Sequence, residues 1–549
     1  MGDYVKLSSR WTSMSSSLKF LMVVIVLILL SGFVFILGPV STFWVPLSYR
    51  HWVWRADVTS SATAPTTASS ATTSTTDSSL RVQAGTSPRN PDFFPRVVVD
   101  GHPTEIEQPL PNDALTFNPS SSPLLASQIT PQPNEKPQED LIIASMNESA
   151  GVAPSLITKM PKEHSSLERL EAGLARARAA IREAARNWNQ TLTDADYVPQ
   201  GPMYWKPRAF HRSYLAMEKQ FKVFVYEEGE PPLFHNGPCK SIYSMEGTFI
   251  HRMEMDSQFR TRDPEKAHVF FLPFSVVMMV RFVYVPNSHD TGPIRETILD
   301  YVDIISTKYP FWNRSLGADH FMLACHDWGP MSSTFVPHLY KNSIRALCNA
   351  NTSEGFNPSK DVSFPEIHLK TGLTNGLVGG PSASRRPILA FFAGGKHGTI
   401  RLLLLEHWKN KDEDVQVFEY LPRNMSYEEK MRKSKFCLCP SGYEVASPRI
   451  VEAIYAGCVP VLISDHYVPP FSEILNWKTF SVEVRVAEIP NLKRILMDIS
   501  SRQYIKMQRR LIQVRRHFEL HSPPERFDVY NMILHSVWLR RLNVRIRDS

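Results

Sequence analysis

The 549-residue chain carries a net charge of +7, with 21% of its residues charged. That length exceeds one small domain and leaves room for roughly two folded units, because Ser, Thr and Pro crowd the first third and exclude it from any sizeable core. Six cysteines (Cys239, Cys325, Cys348, Cys437, Cys439 and Cys458) suit an oxidising compartment, and the lack of any CxxC or Cys/His pair at ligand spacing excludes zinc.

Residues 1–19 form a short tail containing Lys6, Arg10 and Lys19. The run Phe20 to Leu37 is 18 residues, interrupted only by Ser31 and Gly32; at the helical rise it spans about 27 Å, against a hydrocarbon core of about 30 Å. A transmembrane signal-anchor is expected over 20–45, with Phe43, Trp44, Trp52 and Trp54 near the far interface. The run is longer than the apolar part of a cleaved leader and is followed by Gly38-Pro39 rather than a small-x-small site. A slim excess of basic residues before it, and the bulk of the chain after it, predict a single-pass type II protein with its large part luminal. Five Asn-x-Ser/Thr sequons, at Asn147, Asn189, Asn313, Asn351 and Asn424, fall on that side as candidate glycosylation sites.

Between Thr59 and Ser79, 15 of 21 residues are Ser or Thr, and Pro recurs through 88–137, so 46–165 reads as an unfolded stem. Over 166–200 the pattern changes to a helix and linker. Leu167, Leu170, Leu174, Ala177 and Ile181 recur at three- and four-residue spacing among Glu, Arg and Ala, which predicts one amphipathic helix. Its apolar face suits either a coiled coil with a second chain or packing on the chain's own folded part.

From Phe221 onward apolar strands alternate with helical stretches. In a first half, 201–380, strands are expected at Lys222 to Tyr226, Val269 to Pro273 and Phe321 to Cys325, with a helix at Thr297 to Lys308. In a second half, 381–549, strands at Ile388 to Phe392, Val415 to Tyr420, Phe436 to Cys439 and Val459 to Ile463 alternate with helices at Ile400 to Trp408, Tyr427 to Arg432 and Arg449 to Tyr455. This rhythm specifies parallel sheets covered by helices, hence two Rossmann-like α/β domains facing a cleft. Cys437, Cys439 and Cys458 lie in or beside apolar strands and read as buried thiols.

Ligands of such sheets collect beyond the carboxyl ends of the strands. After Ile388 to Phe392 come Ala393-Gly394-Gly395-Lys396-His397-Gly398, with Arg401 in the next helical turn. The glycines let a phosphate approach the backbone, and Lys396 and Arg401 can neutralise it. After Phe436 to Cys439 come Pro440-Ser441-Gly442-Tyr443-Glu444 and then Ser447-Pro448-Arg449, with Ser447 expected at a helix cap and Pro448 at the first helical position. Glu452, one turn on, is a lone carboxylate in an apolar helix, which suits a ribose diol or a buried ion pair.

The stretches Phe221 to Glu228, Arg262 to Phe274, Gly317 to Pro330, Phe391 to Arg401 and especially Phe436 to Asp465 (FCLCPSGYEVASPRIVEAIYAGCVPVLISD) resemble the plant exostosin-like proteins of glycosyltransferase family 47. The resemblance covers about residues 200–545. It implies a GT-B fold, an inverting transfer, a UDP-sugar donor in the C-terminal half, no required cofactor, and assembly of plant cell-wall polysaccharides in the Golgi. By the match to the family's Ser-x-Arg-x-x-Glu-Ala pattern, Arg449 is implied as the diphosphate ligand and Glu452 as the ribose ligand.

An inverting transferase needs a base facing the donor. His326-Asp327-Trp328-Gly329 follows a first-half strand, so His326 or Asp327 is the candidate, beside an aromatic able to stack on a sugar. Asp194-Ala195-Asp196 and Asp412-Glu413-Asp414 do not follow strands, so no metal site is expected. Lys493 to Arg547 holds 13 Lys or Arg against four Asp or Glu; Ile505, Leu511, Ile512 and Val514 give this segment a packed face, and its basic surface suits a polyanionic acceptor such as pectin. The leading expectation is an inverting transfer from a UDP-sugar to pectin or hemicellulose, with a slight preference for xylosyl transfer to a pectic acceptor. The competing class is a non-catalytic scaffold subunit of a Golgi synthase complex, and a luminal chain excludes nucleic acid as a partner.

Overall fold

A computed structural model describes residues 165–186 and 193–547 apart from 373 and 375, all within the unit running from Ser145 to Ser549. The expected tail, signal-anchor and most of the stem, with Asn147 and Asn189, lie outside the described residues. Among the described residues no helix is long and apolar enough to cross a membrane.

Two parallel sheets organise the chain. The first has six strands, β1 (Val223–Val225), β2 (Arg260–Thr261), β3 (Val269–Phe271), β4 (His320–Ala324), β5 (Ile344–Leu347) and β6 (Val362–Ser363), in the order β2-β1-β3-β4-β5-β6. The second has five, β7 (Ile388–Ala393), β8 (Val415–Phe418), β9 (Ser434–Pro440), β10 (Val459–Ile463) and β11 (Val482–Val484), in the order β11-β10-β9-β7-β8. Every ladder is parallel, with Val223 opposite Val269 in the first and Phe391 opposite Cys437 in the second. The central strands β3, β4 and β10 are fully buried, largely apolar runs, as parallel strands covered on both faces are. Two parallel α/β sheets are the architecture expected of a GT-B fold.

The expected second-half strands and helices all form. β7 is followed by the Gly398–Trp408 helix, β8 by Tyr427–Lys433, and β9 by Arg449–Ala456, with Gly457 in the left-handed conformation closing the last. In the second sheet the strand order reverses between β7 and β9, which makes that gap the place for a ligand.

Three features depart from the sequence reading. Cys437 and Cys458 are disulfide-bonded, not thiols; they join β9 to the entry of β10 with a Cα separation of 5.8 Å. A second disulfide, Cys325–Cys348, ties the ends of β4 and β5 with a Cα separation of 4.7 Å. Cys439 is the buried thiol that was expected. Second, the Ser166–Arg186 helix buries Leu167, Leu174 and Ala177 against its own domain, Glu171 pairs with Arg541 at 2.7 Å, and Arg178 donates to the Leu542 and Val544 carbonyls. The face suited to a second chain is therefore already occupied. Third, the last helix, Val529–Asn543, leaves the second half and packs on the first. Its Arg540 donates to the Asp361 carbonyl, His535 meets Ser213, and Trp538 stacks edge-on against Phe221 at 5.4 Å. A helix buried on nearly every side has no amphipathic signature to announce its partner.

Candidate active site

Two arginines meet at the gap between β7 and β9. Arg401 is 8% exposed, and its Nε donates weakly to the Pro440 carbonyl at 3.4 Å. Arg449 lies over the Phe392 ring, 5.1 Å from its centre, and donates to the Ala393 carbonyl at 3.1 Å. Neither forms an ion pair among the described residues. Burial, reinforced by Arg449, pushes the Arg401 guanidinium down to about 10. Two neighbouring like charges, one buried and one half-buried, with no salt-bridge partner are costly unless an anion is to share them.

Glycines make this arrangement possible. A Cβ on Gly394 would stand 2.4 Å from Arg449 Nη2, and one on Gly442 would stand 2.8 Å from Arg401. The loops ending β7 and β9 thus leave exactly the guanidinium-sized space that side chains would fill, and Gly395 continues the first of them. Ser441 is held by its backbone N–H on the Ile463 carbonyl and by its hydroxyl on the Val445 carbonyl. Lys396, by contrast, is half exposed and turned toward Glu419 at 3.8 Å, so Arg401 rather than Lys396 supplies the enclosed cation.

Ser447 differs from its expected role. The helix starts at Arg449 with Pro448 in the cap position, and the Ser447 hydroxyl, 3% exposed, has no partner. Proline's fixed φ lets it stand in the capping position, which displaces Ser447 one residue outward. Glu452 accepts from the Tyr427 hydroxyl at 2.7 Å and lies 3.6 Å from His368. Burial alone would raise its carboxyl, but His368, Tyr427 and Arg449 together hold it below the usual range. It is charged and ready to accept from hydroxyls.

Across from these loops, His326, Asp327 and Trp328 follow β4 directly. Glu246, wholly buried, accepts from Ser275, Val277, Cys325 and His326 and so pins this strand end to the neighbouring one. The His326 ring lies between Tyr243 at 5.0 Å and Trp328 at 5.7 Å. Its Nδ1 accepts the Trp328 N–H, and burial pushes it down to about 4. Asp327 receives the Tyr243 hydroxyl on Oδ1 at 2.8 Å and keeps its second oxygen for another partner. Of the two candidates, Asp327 has the free lone pairs.

Two further carboxylates, Glu366 from a segment that no motif flagged and Glu444 from the loop after β9, complete the surroundings. Glu366, 6% exposed, lies in the chain after β6 and is influenced by Asp327, Arg401, Arg449 and Glu452. Glu444, 8% exposed, is influenced by Glu354, Asp327 and Glu366. A lone glutamate in the apolar stretch Val362-Ser363-Phe364-Pro365-Glu366-Ile367 was the available signal. The acidic pairs elsewhere have other duties: Asp194 is gripped by Arg526 and His211, and Asp412 by Lys493. Among the described residues no group of three or more acidic, His or Cys side chains is arranged to hold a metal.

The other surface expectations divide. Asn313 and Asn424 are exposed, whereas Asn351 is 8% exposed and uses Oδ1 to cap the turn at Thr352–Glu354. The basic C-terminal segment is largely engaged with its own protein: Arg526 with Asp194 and Glu218, Arg516 with Asp196, Arg515 with Glu519, and Arg541 with Glu171. In its helix, Ser501–Val514, Leu511 and Val514 are buried and Ile505 partly so, but Ile512 is 41% exposed and falls off the packed face.

Two parallel α/β sheets, with two arginines at a strand-order reversal, are consistent with a GT-B-like transferase fold. Comparison with known proteins agrees. Residues 217–499 match the Exostosin GT47 domain. One probable glycosyltransferase of Arabidopsis thaliana is 52% identical over 100% of this chain and 98% of its own length. Another from the same plant is 59% identical over 69% of this chain and 82% of its own length. A probable glucuronoxylan glucuronosyltransferase of that plant is 30% identical over 59% of this chain and 74% of its own length. The chain belongs to the exostosin GT47 family and is a glycosyltransferase.

Proposed function

We propose that this transferase moves a sugar, with inversion, from a UDP-sugar to a plant cell-wall polysaccharide in the Golgi lumen, held there by an N-terminal type II anchor. The observation that carries this reading is the pair Arg401, buried, and Arg449, half-buried, neither in a salt bridge among the described residues, at the ends of β7 and β9. There they face the diphosphate, and Glu452 accepts from the ribose hydroxyls. Asp327 takes the proton of the acceptor hydroxyl as its oxygen bonds to the anomeric carbon. The bond from that carbon to the phosphate oxygen breaks, and its electron pair leaves on UDP, whose new charge the two guanidiniums stabilise.

Xylose remains the proposed sugar. The charge argument for a pectic acceptor is weaker than the sequence suggests, because much of the basic surplus is committed to internal ion pairs, so hemicellulose and pectin stand level. The test is Arg449→Ala in the full chain, with UDP binding followed by calorimetry. Loss of a charge-assisted contact predicts at least about a thirtyfold loss of affinity; unchanged affinity overturns the assignment.

A further inference from the structure

The polar side chains between the two sheets are unusual in what they lack. Asn349, 1% exposed, uses Oδ1 to accept the Ala446 N–H at 3.1 Å, which ties the end of β5 to the loop after β9, while its Nδ2 has no partner. Two residues before Ala446, Glu444 Oε2 is enclosed and unpartnered, and one residue after it the Ser447 hydroxyl is the same. Glu366, on the opposite side, makes no hydrogen bond or ion pair with any described residue. Buried groups of this kind are satisfied by something, and these lie beside the arginines assigned to the diphosphate.

We propose that the sugar this site transfers is neutral, a pentose or hexose without a carboxylate at C5, and that Glu366 and Glu444 hold its hydroxyls from opposite sides. The proposal rests on the donor reading above and deepens it. Glu444 faces Glu354, Asp327 and Glu366; Glu366 faces Asp327 and Glu452, with Arg401 and Arg449 as the cations that reach it. Once a diphosphate occupies those arginines, nothing in this set is left to balance a further negative charge.

The state of the carboxyls agrees. Burial, then Glu354, Asp327 and Glu366, pushes Glu444 up to about 9, and burial, then Asp327, pushes Glu366 well above the ordinary range. The cluster holds protons because it cannot sustain its own full charge, and an entering uronate would add one more. A protonated carboxyl can donate one hydrogen bond and accept others, and a hydroxyl does the same. Asn349 Nδ2 supplies a further donor.

The experiment uses the full chain in detergent and two donor pairs that differ only at C5: UDP-glucose with UDP-glucuronate, and UDP-galactose with UDP-galacturonate. Affinities are measured by calorimetry, with UDP itself as reference. The neutral member of the tighter pair should bind at least about tenfold more strongly than the uronate. In the double variant Glu366→Ala, Glu444→Ala, which removes both partners of the sugar hydroxyls, the neutral donors should bind at least about threefold more weakly while UDP affinity holds. Equal binding of the uronate, or a neutral-donor affinity unchanged by both substitutions, overturns the proposal while leaving the donor site intact. Failure to bind UDP at all overturns the donor reading, and this proposal with it. A near-UV circular dichroism spectrum matching the parent establishes that the double variant is folded; should it be unfolded, the single Glu366→Ala variant is read against the same criterion.

Discussion

At the scale of the residue, Glu444 is the most exposed to test, because its chemistry and its cost point the same way. In an unfolded chain its carboxyl titrates in the ordinary range, whereas in the fold burial and its acidic neighbours push it up to about 9. A raised carboxyl is a penalty that grows as pH rises from the unfolded value toward the folded one, since the unfolded chain releases a proton that the folded chain keeps. Glu444→Gln removes that penalty. It should stabilise the protein by about 5 kcal/mol at pH 8 and by less than about 0.5 kcal/mol at pH 4.5, read as the shift in urea midpoint at each pH. A gain independent of pH would mean that Glu444 is charged in the fold. Buried His517 and His535 work in the opposite direction: burial pushes both down to about 3, so their contribution is complete above the unfolded value and is lost as pH falls through that interval.

At the scale of the element, the Ser166–Arg186 helix turns from a stem segment into part of the enzyme. Its Glu171 meets Arg541, which is 1% exposed and also donates to the His268 carbonyl. Glu171→Ala leaves that guanidinium enclosed beside a lost partner, at a cost of about 3 kcal/mol. Scanning calorimetry of the full chain should show a correspondingly lower melting temperature, and a change within about 0.5 kcal/mol, the range of an ordinary surface substitution, would mean that the helix is dispensable. The amphipathic spacing announced this helix but not its partner, because Leu167, Leu174 and Ala177 fit any apolar surface. The same limit governs the strands. β7, β8, β9 and β10 were legible as apolar runs between turn signals, and β4 likewise, whereas β5 hides Arg345 in its middle, buried against Asp361. β2 and β6 are two residues long and carry no period to detect. Arg401, Arg449 and Asp327 were legible because they follow strands in the chain. Glu366 was not, because it reaches the site from a segment whose only mark is a charge among apolar neighbours.

At the scale of the molecule, the two sheets are bound into one body, and this decides how the site can work. The chain after β10 is bonded to the end of the first sheet: Val468 N–H to the Ala350 carbonyl at 3.0 Å, Thr352 N–H to the His466 carbonyl at 3.1 Å, and Phe471 N–H to the Ser363 carbonyl at 3.1 Å. One hydrophobic cluster runs through Phe321 and Ile344 of the first sheet, Ile450 and Leu462 of the second, and Phe518 and Trp538 of the return. The final helix buries Met532, Ile533, Leu534, Val537 and Trp538 completely. At about 2 kcal/mol for each large apolar side chain these five contribute roughly 10 kcal/mol, as much as the whole net stability of a typical domain. Truncation after Ser522 should therefore leave no folded first sheet, even though every strand of both sheets remains in the sequence. In the intact chain, calorimetry should give a single transition, and UDP, for which the ends of β7 and β9 are the proposed site, should raise it as one. Two resolved transitions, with UDP moving only one, would mean that the halves fold and open independently and that the carboxyls facing the donor from the first half meet it only on closure. A single shifted transition instead places Asp327 and Glu366 opposite the arginines before any substrate arrives, which is the pre-organisation that stabilising a developing charge requires.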